Sequence, residues 1–195
     1  MSALPALVQE IRHCRFCVER QDNPLPHPPR PVLRAEASAE LLIIGQAPGT
    51  RVHASGIPWH DPSGDRLRSW LHLDKAAFYD ASRVAIMPMG FCFPGQDAKG
   101  GDLPPRRECA PRWHDLVLAK LPAVRTILLI GQYAQARYLG AARKRNMTET
   151  VAAWRDYTPR FWPMPHPSWR NNAWLKRHPW FETDLLPALR HHIDV

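Results

Sequence analysis

Four cysteines are the residues of this chain whose spacing most directly suggests chemistry. Cys14 and Cys17 enclose two residues, a separation that brings two thiolates to one metal centre. Cys92 and Cys109 form a second, wider pair across a loop rich in Pro and Gly. Four thiolates can hold a structural zinc or an iron–sulfur cluster, and spacing alone does not choose between them. Four unrelated buried thiols are the plain alternative. Three further stretches combine rigid turns with polar groups: Gln46-Ala-Pro-Gly, Gly90-Phe-Cys-Phe-Pro-Gly and His166-Pro-Ser-Trp-Arg-Asn.

The elements that must position these residues follow from periodicity. Leu4, Leu7, Val8 and Ile11 share one face, so a helix is expected over 4–20, carrying Cys14 and Cys17 at its end. The Pro-rich segment 21–39 reads as an extended surface connection. Four apolar runs then recur: 41–45, 84–89, 126–131 and 161–166. The first and third are continuously apolar, as strands buried on both faces of a parallel sheet must be. Helical patterns fall between them at 64–73, 107–120, 133–139 and 147–154, and a last helix is expected over 181–192. This alternation predicts a single domain over 1–195, a three-layer α/β/α sandwich around a four-stranded parallel sheet. Each of the three unusual stretches follows a predicted strand. Ligands bind outside the carboxyl ends of strands in such sheets, so the three loops are expected to converge on one crevice.

The 195 residues suffice for one substantial core. Lys and Arg number 26 against 18 Asp and Glu, a formal charge of +8 that suits a polyanionic partner, although a merely solubilising surface would carry it too. The apolar runs are too short for a membrane helix, and the N-terminus lacks the pattern of a secretory signal. A reducing cytoplasmic compartment is the expectation, which favours ligand or free-thiol roles for the cysteines over disulfides. Trp and basic residues interleave over 169–181, a footprint suited to DNA, with packing of Trp174, Trp180 and Phe181 into the core as the structural alternative.

Taken together, these motifs resemble the uracil-DNA glycosylase superfamily. Gly45-Gln-Ala-Pro-Gly49 resembles its first motif, and His166-Pro-Ser-Trp-Arg-Asn resembles its HPS motif. Cys14, Cys17, Cys92 and Cys109 resemble the cluster ligands of its iron–sulfur families 4 and 5. The likeness runs from Leu4 through the HPS-like stretch. It implies a [4Fe–4S] cluster rather than Zn, in a structural role that pins the N-terminal helix to the loop 92–109.

The resemblance also implies roles. Gly56 to Leu67 resembles the family 5 pattern of an Asp before Ser-Gly, which makes Asp61 the group that polarises the attacking water. Breaking an N-glycosidic bond builds positive charge on the sugar and negative charge on the base, and a carboxylate serves the former. The alternative for Asp61 is a helix N-cap. His166 would stabilise the departing base as a neutral donor. Trp59 stands near the family's base-stacking aromatic, one residue out of register with Asp61. Gln46 and Ala47 would hold the base edge through their backbone. Ser168, Trp169 and Arg170 would meet DNA, with Trp169 or Arg170 filling the gap left by a flipped base.

One position departs from the pattern. Pro88 stands where the iron–sulfur families carry an Asn that reads the uracil edge. Backbone groups at Met89 or Gly90, or Asn171 or Asn172, would then take over, and hypoxanthine or xanthine become eligible. The implied activity is monofunctional hydrolysis that leaves an abasic site in DNA, by a monomer. The rival expectations are a uracil-DNA-binding protein that does not turn over or traps DNA covalently, and a thiolate–metal protein acting on a free nucleoside.

Overall fold

The computed structural model describes residues 3–193. Four strands form one sheet: β1 (Leu41–Ile44), β2 (Val84–Ile86), β3 (Thr126–Ile130) and β4 (Phe161–Met164). Their order is β2-β1-β3-β4 and all pairs are parallel. Helices cover both faces: α1 (Leu4–Arg12), α2 (Thr50–Ser55), α3 (Pro62–Leu71), α4 (Lys75–Tyr79), α5 (Cys109–Leu118), α6 (Gln132–Leu139), α7 (Met147–Ala152), α8 (Asn172–Arg177) and α9 (Leu186–His192).

The sheet divides the core in two because successive strand residues point to opposite faces. Leu42, Ile44, Ala85, Ile127 and Leu129 pack on one side with α1, α5 and α6. Leu41, Ile43, Val84, Ile86, Leu128 and Ile130 pack on the other with α3, α9, Trp154 and Phe181. Both faces need apolar side chains, so β1 is an unbroken Leu/Ile run and β3 is one from Ile127 onward. Each such Leu or Ile contributes about 1.5–3 kcal/mol by burial.

Several boundaries differ from the sequence expectation, for local reasons. The first helix stops at Arg12, not residue 20. The backbone tightens at His13, whose ring nitrogen Nδ1 meets the Gln9 carbonyl at 2.8 Å, and Cys14 to Cys17 lie in turns beyond it. Strand β2 ends at Ile86. Met87 and Met89 still donate to Ile43 and Gly45, but Pro88 between them has no N–H to continue the ladder. The last helix begins with a π-turn over Phe181–Leu185 before α9, where Pro187 cannot donate to the preceding turn. The strip 169–181 is not one loop. It folds into a single 3-10 turn at Trp169–Asn171 followed by α8, and Trp174 and Phe181 are buried.

The chain reverses direction across the sheet between β1 and β3. The crevice at their carboxyl ends is the place where an open parallel sheet offers room to a ligand.

Candidate active site

A cavity of about 570 Å³ opens at that crevice. Gln46 to Gly49 form one wall after β1, Pro88 extends β2, and His166 to Asn171 follow β4. Trp59, Asp61 and Ser63 enter from the segment that leads into α3, and Gly101 to Leu103 close the far side. The loop 90–95 divides differently from expectation. Gly90, Phe91 and Cys92 border a second, smaller cavity with the other cysteines, not this one.

Trp59 is the most constrained residue of the site. Its backbone is left-handed at φ 57°, a conformation that costs a non-glycine residue energy and needs its surroundings to hold it. Those surroundings are visible. Arg68 Nη1 donates to the Trp59 carbonyl at 3.4 Å, and Tyr79 Oη donates to the Pro58 carbonyl at 3.0 Å. Gly64 leaves room for the Trp59 carbonyl, which would stand 1.7 Å from any Cβ there. The indole is thereby aimed at His166, with ring centroids 5.5 Å apart and planes tilted by 37°.

His166 sits half-buried at the end of β4. Burial lowers its pKa below the ordinary imidazole value, while Asp61 and Asp102 pull it upward. Desolvation wins, so the ring is neutral at pH 7 and carries one N–H donor. Its own carbonyl is held by Asn171 Nδ2 at 2.7 Å, which commits that side-chain amide to the loop.

Asp61 caps α3, its Oδ1 accepting the Gly64 N–H at 2.8 Å, and it also lines the cavity. Asp61 is thus both the cap of α3 and part of the cavity wall. Ser168 caps the following 3-10 turn through the Arg170 N–H, and Arg66 ties that turn to α3 by donating to the Ser168 carbonyl at 3.2 Å and to Asn172 Oδ1 at 2.8 Å. Trp169 is 70% exposed at the cavity rim, with the Arg170 guanidinium 5.2 Å from its ring centre.

Met89 and Gly90 do not reach the cavity. Their N–H groups are spent on the carbonyls of Gly45 and Gln46 at 2.9 and 3.0 Å, which locks the first loop to the end of β2. Pro88 does line the cavity, but its carbonyl accepts from the buried His114 ring at 3.1 Å. Gln46 and Ala47 are different. Among the described residues, no acceptor takes either backbone N–H, and both residues border the cavity.

The model of the uracil DNA glycosylase superfamily matches residues 33–190, most of the chain and every residue of this cavity's wall except Val32. The protein belongs to the uracil DNA glycosylase superfamily. Solved structures similar to it include a candidate uracil DNA glycosylase from Methanosarcina acetivorans, at 16% identity and a TM-score of 0.44, covering 81% of this chain and 93% of the other. SMUG2 of Pedobacter heparinus is similar at 14% identity and a TM-score of 0.46, covering 81% and 77%.

Two features of this superfamily member were missed by sequence reasoning. Asp102, in the loop between the second cysteine pair, lines the cavity. His114 stands behind it with no exposure, its Nδ1 meeting Tyr138 Oη at 2.7 Å. Nothing in the local sequence of either marks it.

Cys14, Cys17, Cys92 and Cys109 all border the second cavity, with Leu25, Phe91 and Trp113 around them. The donor chemistry therefore suits a thiolate-bound centre: four thiols face one space from three segments. The Phe91 N–H donates to Cys109 Sγ at 3.3 Å, a bond that favours thiolate. Among the described residues, no group of three or more His, Cys, Asp or Glu side chains is already closed on a common point that could hold a metal. Burial pushes the Cys92 and Cys109 thiols up to about 12, so a bound cation would have to draw their protons off. Ion pairs and hydrogen bonds join the segments round this space: Arg20 pairs with Glu108, and Arg106 donates to the Asn23 carbonyl at 2.7 Å. Among the described residues, no helix is long and apolar enough to cross a membrane.

Proposed function

We propose that the protein hydrolyses the N-glycosidic bond of uracil, or of another deaminated base, in DNA and leaves an abasic site. The observation that carries this is the meeting of Trp59, Asp61 and His166 on one cavity at the carboxyl end of the sheet.

A base flipped out of the duplex enters between the Gln46–Gly49 loop and the His166 loop, and stacks on the Trp59 indole. The Gln46 and Ala47 N–H groups donate to the base edge. The glycosidic bond breaks with its electron pair going to the base. His166, neutral through burial, donates its N–H to the base oxygen on which charge collects. The Asp61 carboxylate faces the positive sugar and orients the water that attacks C1′, and the proton of that water passes to Asp61. Trp169 and Arg170 at the rim fill the gap left in the stack. Among the described residues, no lysine borders the cavity, which supports hydrolysis without a strand-cleaving lyase step.

Pro88 supplies an apolar wall and no edge contact, and its carbonyl is already occupied by His114. Base selectivity then rests on backbone donors, which fit a carbonyl oxygen on uracil, hypoxanthine or xanthine alike. The positive charge of the chain supports a DNA partner. Cys14, Cys17, Cys92 and Cys109 would hold a [4Fe–4S] cluster, with zinc as the alternative. When bound, that centre supplies a structural cross-link between the segment after α1 and the loop 92–109. We read the chain as one domain acting as a monomer in the cytoplasm.

A second reading is favoured by the Asp61 cap: a uracil-DNA-binding protein that does not turn over, or that traps DNA covalently. One assay separates them. Metal-replete protein is incubated with end-labelled oligonucleotides bearing uracil, hypoxanthine or xanthine, single-stranded and paired, and abasic sites are revealed by alkali. Cleavage lost in Asp61→Asn and His166→Ala supports the glycosylase. Absence of abasic sites with every base, in protein that binds the oligonucleotide, would leave binding or trapping, and unheated denaturing gels tell those two apart.

A further inference from the structure

We infer that Asp102 is a second catalytic carboxylate of this site, delivered to the base pocket by the loop between Cys92 and Cys109. The inference rests on the glycosylase reading above and adds to it a residue outside the motifs that suggested it.

The loop is built to place this side chain. Gly95 and Gly100 take left-handed conformations at φ 100° and 73°. The Leu103 N–H closes the turn on the Gly95 carbonyl at 2.9 Å, and Gln96 bridges to Asp102. Asp97 Oδ1 caps the tip, accepting the N–H groups of Lys99 at 2.8 Å and Gly101 at 2.9 Å. At the root, His27 Nε2 meets the Phe93 carbonyl at 2.9 Å, and Cys92 and Cys109 border the thiol cavity. Asp102 thus projects from a braced hairpin, not a loose loop.

Its position is shared with the first motif. A Cβ on Gly49 would stand 3.1 Å from Asp102 Oδ2, so the carboxylate occupies the space that a side chain at position 49 would need. The Gln46–Gly49 loop brings no carboxylate of its own to the pocket, and Asp102 supplies one from outside. Asp102 and Asp61 both border the cavity that His166 lines. Both also act electrostatically on His166 in the same direction, which agrees with their facing it.

A carboxylate at the mouth of a DNA site repels phosphate and weakens binding, so any benefit it brings must come from the chemistry. The chemistry offers two tasks. The sugar becomes positive as the base leaves, and a water must be oriented for attack at C1′. Asp61 has Oδ1 fixed by the Gly64 N–H, which suits it to hold charge in one place. Asp102 shares the stabilisation of the sugar cation from the Gly49 side, and it stays ionised throughout, taking no proton in the step.

Asp102→Asn tests this, because the amide keeps the Oδ1 acceptor for Gln96 while it removes the charge and turns the second oxygen into an NH2 donor. Single-turnover cleavage of uracil oligonucleotide is measured beside binding of an oligonucleotide carrying a 2′-fluorinated deoxyuridine, which resists hydrolysis. The expected result is a ~100-fold slower cleavage step with binding equal to wild type or tighter. Cleavage within about 3-fold of wild type, in protein that still binds the probe, overturns the role of Asp102 and leaves the glycosylase reading intact. Cleavage and binding lost together mark Asp102 as a loop brace and overturn the inference as well. A wild-type protein that binds and never cleaves removes the glycosylase reading and this inference with it.

Discussion

The Trp59 indole lies directly on Gly45, so close that a Cβ at position 45 would stand 2.7 Å from Trp59 Cζ2. The first motif's opening glycine is thus a seat for an aromatic that arrives from a different segment. Gly45→Ala should push the ring away from His166 while the strand before it stays buried. The expected outcome is a loss of cleavage on the order of 10²-fold, as for a misplacement near 1 Å. Single-turnover kinetics measure it, and an unchanged far-ultraviolet dichroism spectrum shows that the fold persists.

Asp61 holds a helix end and faces the cavity, and two substitutions separate these jobs. Asn caps about as well as Asp, so Asp61→Asn should melt close to wild type while its cleavage step slows by roughly 10²–10⁴-fold. Asp61→Ala should lose the same activity and, in addition, about 1 kcal/mol of stability. Thermal melts beside rate measurements decide between them. An Asn variant that cleaves normally would reduce Asp61 to a cap.

The four thiols should behave as one site. Metal-replete protein should contain either iron with inorganic sulfide or zinc, and Cys109→Ser should lose the metal and melt at a lower temperature. In metal-stripped folded protein, Cys92 and Cys109 should react with iodoacetamide at pH 8 far more slowly than in the urea-unfolded chain. Burial holds their pKa at about 12, so little thiolate is present to react. Mass spectrometry of the labelled peptides reads both outcomes.

His114 should make the fold sensitive to acid. Burial, together with nearby Arg137, holds its pKa at about 4, against 6.5 for a free imidazole, although its bond to the Pro88 carbonyl and Asp115 oppose the shift. Between these values the unfolded chain binds a proton that the native protein excludes. Stability is therefore present above about 6.5 and is lost as pH falls towards 4, by up to about 3 kcal/mol from this one group. Phe91, Tyr138, Arg137 and Asp115 surround the ring and set its field. His114→Gln, which keeps a donor for Pro88, should be less stable at neutral pH and show a shallower slope. Urea midpoints measured across that window check it.

The parallel sheet was readable from residue types, because a strand covered on both faces has to be apolar at every position. Leu41 to Ile44 and Ile127 to Ile130 satisfy that, and Thr126 at the start of β3 is the exception, its buried hydroxyl meeting His192 Nε2 at 2.9 Å. Helix ends were less readable. The first helix gives way at His13, whose backbone N–H and ring Nδ1 both meet the Gln9 carbonyl, just past Ile11, the last apolar residue of its buried face.

The sequence alone determined which residue types follow each strand: Gln46 to Gly49, Pro88, and His166 to Asn171. It also determined that four thiols were present in two pairs. Tertiary structure decided which of these groups meet. It turned the Trp59 ring onto Gly45 and His166, used up the N–H groups of Met89 and Gly90, and set His114 behind Pro88. It alone brought Asp102 over Gly49. The reason is physical. Local pattern reports whether a side chain is buried, through periods of two and 3.6 residues. Where two loops touch depends on how long connections close across the sheet, and no period in the sequence records that closure.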